Sequence, residues 1–63
     1  MASPETVAYY QKWLHEKYRA QQLGKTNYEA NCDIEISRLE TENPELLDDK
    51  QELWDEVVSA YSG

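Results

Sequence analysis

Residues 43–61 read NPELLDDKQELWDEVVSAY, and the period of this stretch decides the fold. On a wheel of about 100° per residue, apolar side chains fill one arc and acidic side chains fill the opposite arc over about five turns. The apolar arc holds Leu46, Leu47, Leu53, Trp54, Val57, Val58 and Tyr61. The acidic arc holds Glu45, Asp48, Asp49, Glu52, Asp55 and Glu56. The stretch predicts an amphipathic helix over 44–61.

The first residues of this stretch are typical of a helix start. Asn43 can cap the free amides, Pro44 has its φ already at the helical value, and Glu45 places a carboxylate at the positive end of the helix dipole. A kink inside the helix stays open as an alternative, because Asp49 and Glu52 could form a local capping box.

The amino-terminal part of the chain repeats this start at residues 3–5, which read SPE. Gly24 supplies a left-handed stop, so a first helix is predicted over 4–22. Its buried stripe consists of Val7, Tyr10, Leu14 and Tyr18. Trp13 lies beside this stripe, and Tyr9 lies further round the wheel. Tyr9 is expected either to join the core or to be exposed, and an exposed Tyr9, with an edge of Trp13, would serve as a contact for a partner.

The middle segment fits two periods. Apolar and polar residues alternate as in a strand at Tyr28, Ala30, Cys32, Ile34 and Ile36, yet one helical face holds Tyr28, Cys32, Ile36 and Leu39. A strand would have to pair with a second copy of the chain, because no other segment offers a partner strand. Good helix formers, with Thr26 or Asn27 as the N-cap, favour a helix over 27–41.

Ile34 points away from the apolar face if the middle segment is helical. The middle helix of a three-helix bundle can be covered on two sides, so packing inside the bundle is the expected role of this side chain. The alternative is a contact with a second copy or with a partner protein.

The chain has 63 residues and a single cysteine, Cys32. These features predict one domain, 1–63, folded as an all-α three-helix bundle whose small core leaves oligomerisation open, including a homodimer. A lone cysteine forms no intramolecular disulfide, which is typical of a reducing compartment. No apolar run reaches the length of a membrane span. We therefore expect a cytoplasmic protein that does not bind membranes.

The net charge of −7 is distributed unevenly along the chain. Residues 1–25 contain four basic and two acidic residues and carry +2, whereas residues 26–63 contain two basic and eleven acidic residues and carry −9. Such a field attracts basic surfaces and repels phosphates. Direct binding of nucleic acid is therefore not expected.

Residues that could perform chemistry are few. His15 lies on a polar helix face without a partner, and the carboxylate of Asp33 beside Cys32 raises a thiol pKa instead of activating the thiol. Zinc needs several Cys or His ligands, and calcium needs a looped acidic motif with a central glycine. The sequence predicts no enzyme, no metal and no cofactor.

The acidic arc is expected to bind a basic surface of a larger protein, with acids of the second helix extending it. The protein would be an inhibitor or regulator that takes the place of nucleic-acid phosphates, a strategy found among viral proteins. The predicted partner-binding residues are Glu45, Asp48, Asp49, Glu52, Asp55, Glu56, Tyr9, Trp13 and Ile34. The alternative is an assembly or adaptor subunit that self-associates or joins a complex through Tyr9, Trp13 and Ile34, with the acids serving solubility.

Overall fold

The structure, a computed structural model, describes residues 2–62 and contains three helices. Helix α1 spans Pro4–Leu23, α2 spans Thr26–Glu42 and α3 spans Leu46–Ser62. The middle segment is a helix, and residues 2–62 include no strand. Each helix contacts the other two. The predicted all-α three-helix bundle is therefore confirmed, with every boundary within two residues of its predicted position.

The first helix begins and ends as its flanking residues predict. Ser3 Oγ accepts a hydrogen bond from the backbone N–H of Thr6 at 3.2 Å. At the other end, Gly24 has a φ of 70°, which is in the left-handed region that glycine adopts at little cost. The N–H of Gly24 donates to the carbonyl of Gln21 at 3.3 Å, and that of Lys25 donates to the carbonyl of Ala20 at 2.9 Å. This pair of bonds satisfies the last carbonyls of α1 in a Schellman motif.

The cap predictions for the other two helices were wrong. Lys25 occupies the cap position of α2 and makes no side-chain cap bond, so neither Thr26 nor Asn27 caps this helix. Asn43 closes α2 instead of opening α3, because both its backbone N–H and its side-chain amide donate to the carbonyl of Leu39. A tight turn follows, and α3 begins at Leu46, two residues later than predicted. From there α3 continues to Ser62 without a break.

The core lies on the line where the three helices meet. Its fully or nearly fully buried side chains are Tyr10, Leu14, Ala20, Cys32, Ile36, Leu39, Leu46 and Val57. Three residues predicted on the apolar faces are exposed instead: Tyr28 by 41%, Leu47 by 53% and Tyr61 by 51%. Tyr28 and Leu47 lie at the edges of their apolar arcs, where the grooves between helices leave side chains open to solvent, whereas Tyr61 lies in the last turn of α3.

A polar network crosses the bundle beside this core. The buried Tyr10 of α1 donates its phenolic hydrogen bond to Glu40 Oε2 of α2 at 2.6 Å. The ammonium group of Lys50 on α3 lies 2.9 Å from the same oxygen. Burial first, and then the hydrogen bond and charge of Glu40, raise the pKa of Tyr10 above its ordinary value. One carboxylate therefore connects all three helices.

Candidate functional site

The outer side of α3 carries a continuous row of carboxylates. Asp48, Asp49, Glu52, Asp55 and Glu56 are all exposed, and we refer to these five residues as the acidic face. Glu45 was predicted to belong to the same surface. It is half-buried in the turn before α3 and is therefore not part of the acidic face.

No ion pair within residues 2–62 neutralises the acidic face. None of its five carboxylates has a Lys or Arg nitrogen within 4.0 Å in that part of the chain. Two of them accept hydrogen bonds from neutral amides: Asp55 from Gln51 at 3.0 Å, and Glu56 from Gln11 at 2.9 Å. These bonds orient the carboxylates and leave their charge in place.

The acids of α2 are arranged differently. Four of them form ion pairs, which are Lys17 with Asp33, Arg38 with both Glu35 and Glu42, and Lys50 with Glu40. The expectation that acids of the second helix extend the acidic surface was therefore largely wrong. The cations that pair with acids of α2 come from all three helices. The sequence does not show that Lys17 of α1 and Lys50 of α3 lie next to α2.

Tyr9 and Trp13 form a pair on α1. Their rings meet edge to face with centroids 6.2 Å apart. The ammonium group of Lys12 lies 5.9 Å from the Tyr9 ring and 5.8 Å from the Trp13 ring. Tyr9 is 43% exposed, whereas Trp13 packs against the core, and its indole N–H is buried with no hydrogen-bond partner among residues 2–62. The exposed part of this pair is therefore mainly the Tyr9 ring, with the Lys12 charge beside it.

Ile34 lies on the side of α2 that faces away from the core. It is 65% exposed, so the expectation that it packs inside the bundle was wrong. Cys32 and Ile36, two residues to either side, are both buried and place Ile34 on the opposite face. Ile34 belongs to α2, whereas Tyr9 and Trp13 belong to α1.

An open groove between α2 and α3 was not predicted. It has a volume of about 510 Å³, and Leu14, Ile36, Leu47 and Trp54 contribute its apolar lining. Leu47, Gln51 and Trp54 follow one another at spacings of four and three residues along α3. This spacing is visible in the sequence, but it is also that of a helix face buried in the core. Only the position of α2 leaves the strip open.

His15 and Cys32, the single histidine and the single cysteine of the sequence, both pack against other side chains. His15 packs edge to face against Tyr61, with ring centroids 5.7 Å apart. Cys32 is fully buried, and burial first, then the charges of Glu16 and Asp33, raise the pKa of its thiol. Within residues 2–62, no group of three or more His, Cys, Asp or Glu side chains could hold a metal ion. No helix of this part of the chain is long and apolar enough to cross a membrane.

Comparison with known proteins adds no relative to this description. No protein-family model, no curated protein and no solved structure matches the chain.

Proposed function

We propose that this chain is a non-enzymatic binding protein whose acidic face docks on a basic surface of a larger protein. By occupying the place of nucleic-acid phosphates, it inhibits or regulates that protein. The observation that carries the proposal is the row of five exposed carboxylates on α3 without a cationic partner in residues 2–62.

The density of charge along the acidic face supports phosphate mimicry. Eight residue steps separate Asp48 from Glu56, which is about 12 Å of helix at about 1.5 Å per residue. Five charges over this length give about one charge every 3 Å, close to the value of about 3.4 Å for the phosphates of one DNA strand. A groove shaped for a phosphate backbone would therefore meet a similar charge density.

The cost of the acidic face supports a functional role. Like charges three or four residues apart on a helix destabilise it by about 0.2–0.5 kcal/mol per pair. The chain has cations that relieve such repulsion, yet Lys17, Arg38 and Lys50 are all paired with acids of α2. A surface needed only for solubility has no reason to concentrate one sign of charge on one helix.

We also propose that the protein works in the cytoplasm. Its single thiol, Cys32, is buried in the core and is not activated. A small bundle that is held together by packing and ion pairs, without a disulfide, suits a reducing compartment.

The test is a pull-down from the native host at low salt, followed by elution with a salt gradient and identification of the eluted protein. The triple variant Asp48→Lys, Glu52→Lys, Asp55→Lys should lose the partner. The matched control, Glu5→Lys, Glu29→Lys, Glu42→Lys, changes the net charge equally and leaves the acidic face intact, so it should retain most of the binding. Equal losses in the two variants, or an affinity that barely changes with salt, would overturn the proposal.

A second candidate function is an assembly or adaptor subunit, and the exposure of Ile34 favours it. A β-branched side chain that is 65% exposed on a helix face is well placed to contact another copy or a complex. Sedimentation at micromolar concentration should then show a concentration-dependent oligomer that Ile34→Ser abolishes. A monomer at all concentrations would rule out self-assembly.

A further inference from the structure

The groove between α2 and α3 leaves part of the apolar surface of α3 exposed, although Trp54 also packs against the core and meets the Tyr18 ring edge to face. Leu47 is 53% exposed at the side of the groove, whereas Leu46, its neighbour in sequence, is buried in the core. Trp54 is half-buried and lines the groove two turns further along α3. Leu47 and Trp54 are seven residues apart, so their positions repeat at about 10.5 Å along the helix axis.

The ionised residues that line the groove cancel one another. Lys17 pairs with Asp33, and Lys50 pairs with Glu40. The groove therefore carries no net charge in a molecule whose total charge is −7. An apolar side chain entering the groove would not have to strip water from an unpaired ion.

The α3 edge of this groove is bordered by the acidic face. Asp48 and Asp55 directly follow Leu47 and Trp54, so each stands about 100° further round the helix on the solvent side. Both are exposed, and neither has a cationic partner in the described part of the chain. An apolar strip with two acids along its border is the complement of a helix with apolar residues on one face and basic residues beside them.

We infer that the groove between α2 and α3 receives an amphipathic basic helix of the partner protein. This inference rests on the proposed function and deepens it, because it assigns the apolar anchor that accompanies the electrostatic attraction. Apolar side chains of the partner helix at positions i, i+3 or i+4, and i+7 cover Leu47 and Trp54. Its Lys or Arg residues meet Asp48 and Asp55.

A second copy of the chain is a poorer occupant of the groove. In a symmetric dimer the same edge of α3 faces its own copy, so Asp48 and Asp55 of both molecules approach one another. Each molecule also carries a net charge of −7. The charge complementarity that favours a basic helix thus opposes self-association through this groove.

The test uses three synthetic peptides of about 18 residues, long enough to pass both anchor positions at about 1.5 Å per residue. The first carries leucines at helical spacing with lysines beside them, the second has the same composition in scrambled order, and the third replaces each lysine by glutamate. Calorimetry should show that the first peptide binds at least about tenfold more tightly than the second. The third should not bind. In a proton–nitrogen correlation spectrum, the indole signal of Trp54 should shift on binding while that of Trp13 stays.

Two leucines of similar exposure provide matched variants. Leu47→Ser should weaken binding of the first peptide by about 10- to 100-fold, the loss expected for one buried leucine. Leu23→Ser, which alters a leucine 57% exposed at the far end of α1, should leave binding unchanged. Circular dichroism checks that both variants are folded.

The outcomes separate the groove from the acidic face. If scrambled and ordered peptides bind equally and Leu47→Ser has no effect, the groove is not the anchor. The proposed function then survives only if charge reversal at Asp48, Glu52 and Asp55 abolishes binding. If that reversal leaves binding unchanged, the electrostatic proposal fails as well. Concentration-dependent self-association that Leu47→Ser removes would identify a second copy as the occupant and overturn the inference.

Discussion

Tyr10 shows how a single residue can join the apolar and polar parts of a small bundle. Its ring is fully buried, and its hydroxyl donates a hydrogen bond to Glu40, which also forms an ion pair with Lys50. A phenol is suited to this position because the ring contributes apolar contact area and the O–H meets the need of the nearby carboxylate for a donor. The wheel predicted that Tyr10 is buried, but it did not predict the partner of the hydroxyl.

Removal of that hydroxyl should destabilise the fold. We expect Tyr10→Phe to lower the free energy of unfolding by about 1–2 kcal/mol, because Glu40 loses a charge-assisted hydrogen bond in a largely buried position. Urea denaturation followed by circular dichroism measures the change. Tyr61→Phe is the control: Tyr61 is 51% exposed, and its substitution should alter stability by less than about 0.5 kcal/mol. Equal effects of the two substitutions would contradict the role assigned to the Tyr10 hydroxyl.

Alkaline pH should also destabilise the fold through two buried groups. The folded state raises the pKa of Tyr10 and of Cys32 above their ordinary values of 10.0 and 9.0. Above those values the unfolded chain releases protons that the folded chain retains, so the free energy of unfolding falls as pH rises. We expect the urea midpoint to be flat around neutral pH and to fall from about pH 9 upwards. The fall should be shallower in Tyr10→Phe and in Cys32→Ala, each compared with its own value at neutral pH.

Among the helices, the last residues of α1 and the first residues of α2 show two ways in which a helix boundary is set. The end of α1 is decided locally, because Gly24 adopts the left-handed conformation and the next amides bond back into the helix. The start of α2 has no side-chain cap at all. Contacts between helices therefore maintain a boundary that local capping does not explain.

The local stop at Gly24 leads to a prediction about backbone conformation. A Cβ added at this position would meet no atom within 4 Å, so any cost of substitution comes from the φ of 70° and not from crowding. Gly24→Ala should lower the free energy of unfolding by about 1 kcal/mol. Gly24→Asn should cost less, since asparagine tolerates the left-handed region better. Thermal or urea unfolding of both variants provides the measurement, and an alanine variant as stable as the original would contradict the conformational explanation.

For the whole molecule, ion pairs and unpaired charge are separated in space. Cations of all three helices pair with acids of α2: Lys17 and Lys50 reach it from α1 and α3, whereas the pairs of Arg38 lie within α2 itself. The acidic face of α3 remains unscreened within residues 2–62. The charge without a cationic partner is therefore concentrated on α3 in this part of the chain, where it opposes folding.

This separation predicts that salt stabilises the free protein. Added sodium chloride should raise the free energy of unfolding, because screening weakens the repulsion among the carboxylates of α3 more than it weakens the partly buried pair of Lys50 with Glu40. Asp48→Asn, Glu52→Gln, Asp55→Asn reduces the net charge from −7 to −4. This variant should be more stable than the original at low salt and should respond less to added salt. A decrease in stability with salt would show that the ion pairs of α2 outweigh the acidic face.

The sequence alone determined three helices, their boundaries to within two residues, the burial of side chains such as Tyr10 and Leu14, and the exposure of the acids of α3. Each of these depends on the local period of the chain and on residues such as Ser3 and Gly24 that act on their own neighbours. Tertiary structure alone decided that Leu47 is exposed, that Ile34 is covered by no other helix, and that Lys17 and Lys50 pair with acids of α2 and not with those of α3. These features depend on which helix lies opposite a given face, because the edge of an apolar arc is buried only where a second helix covers it.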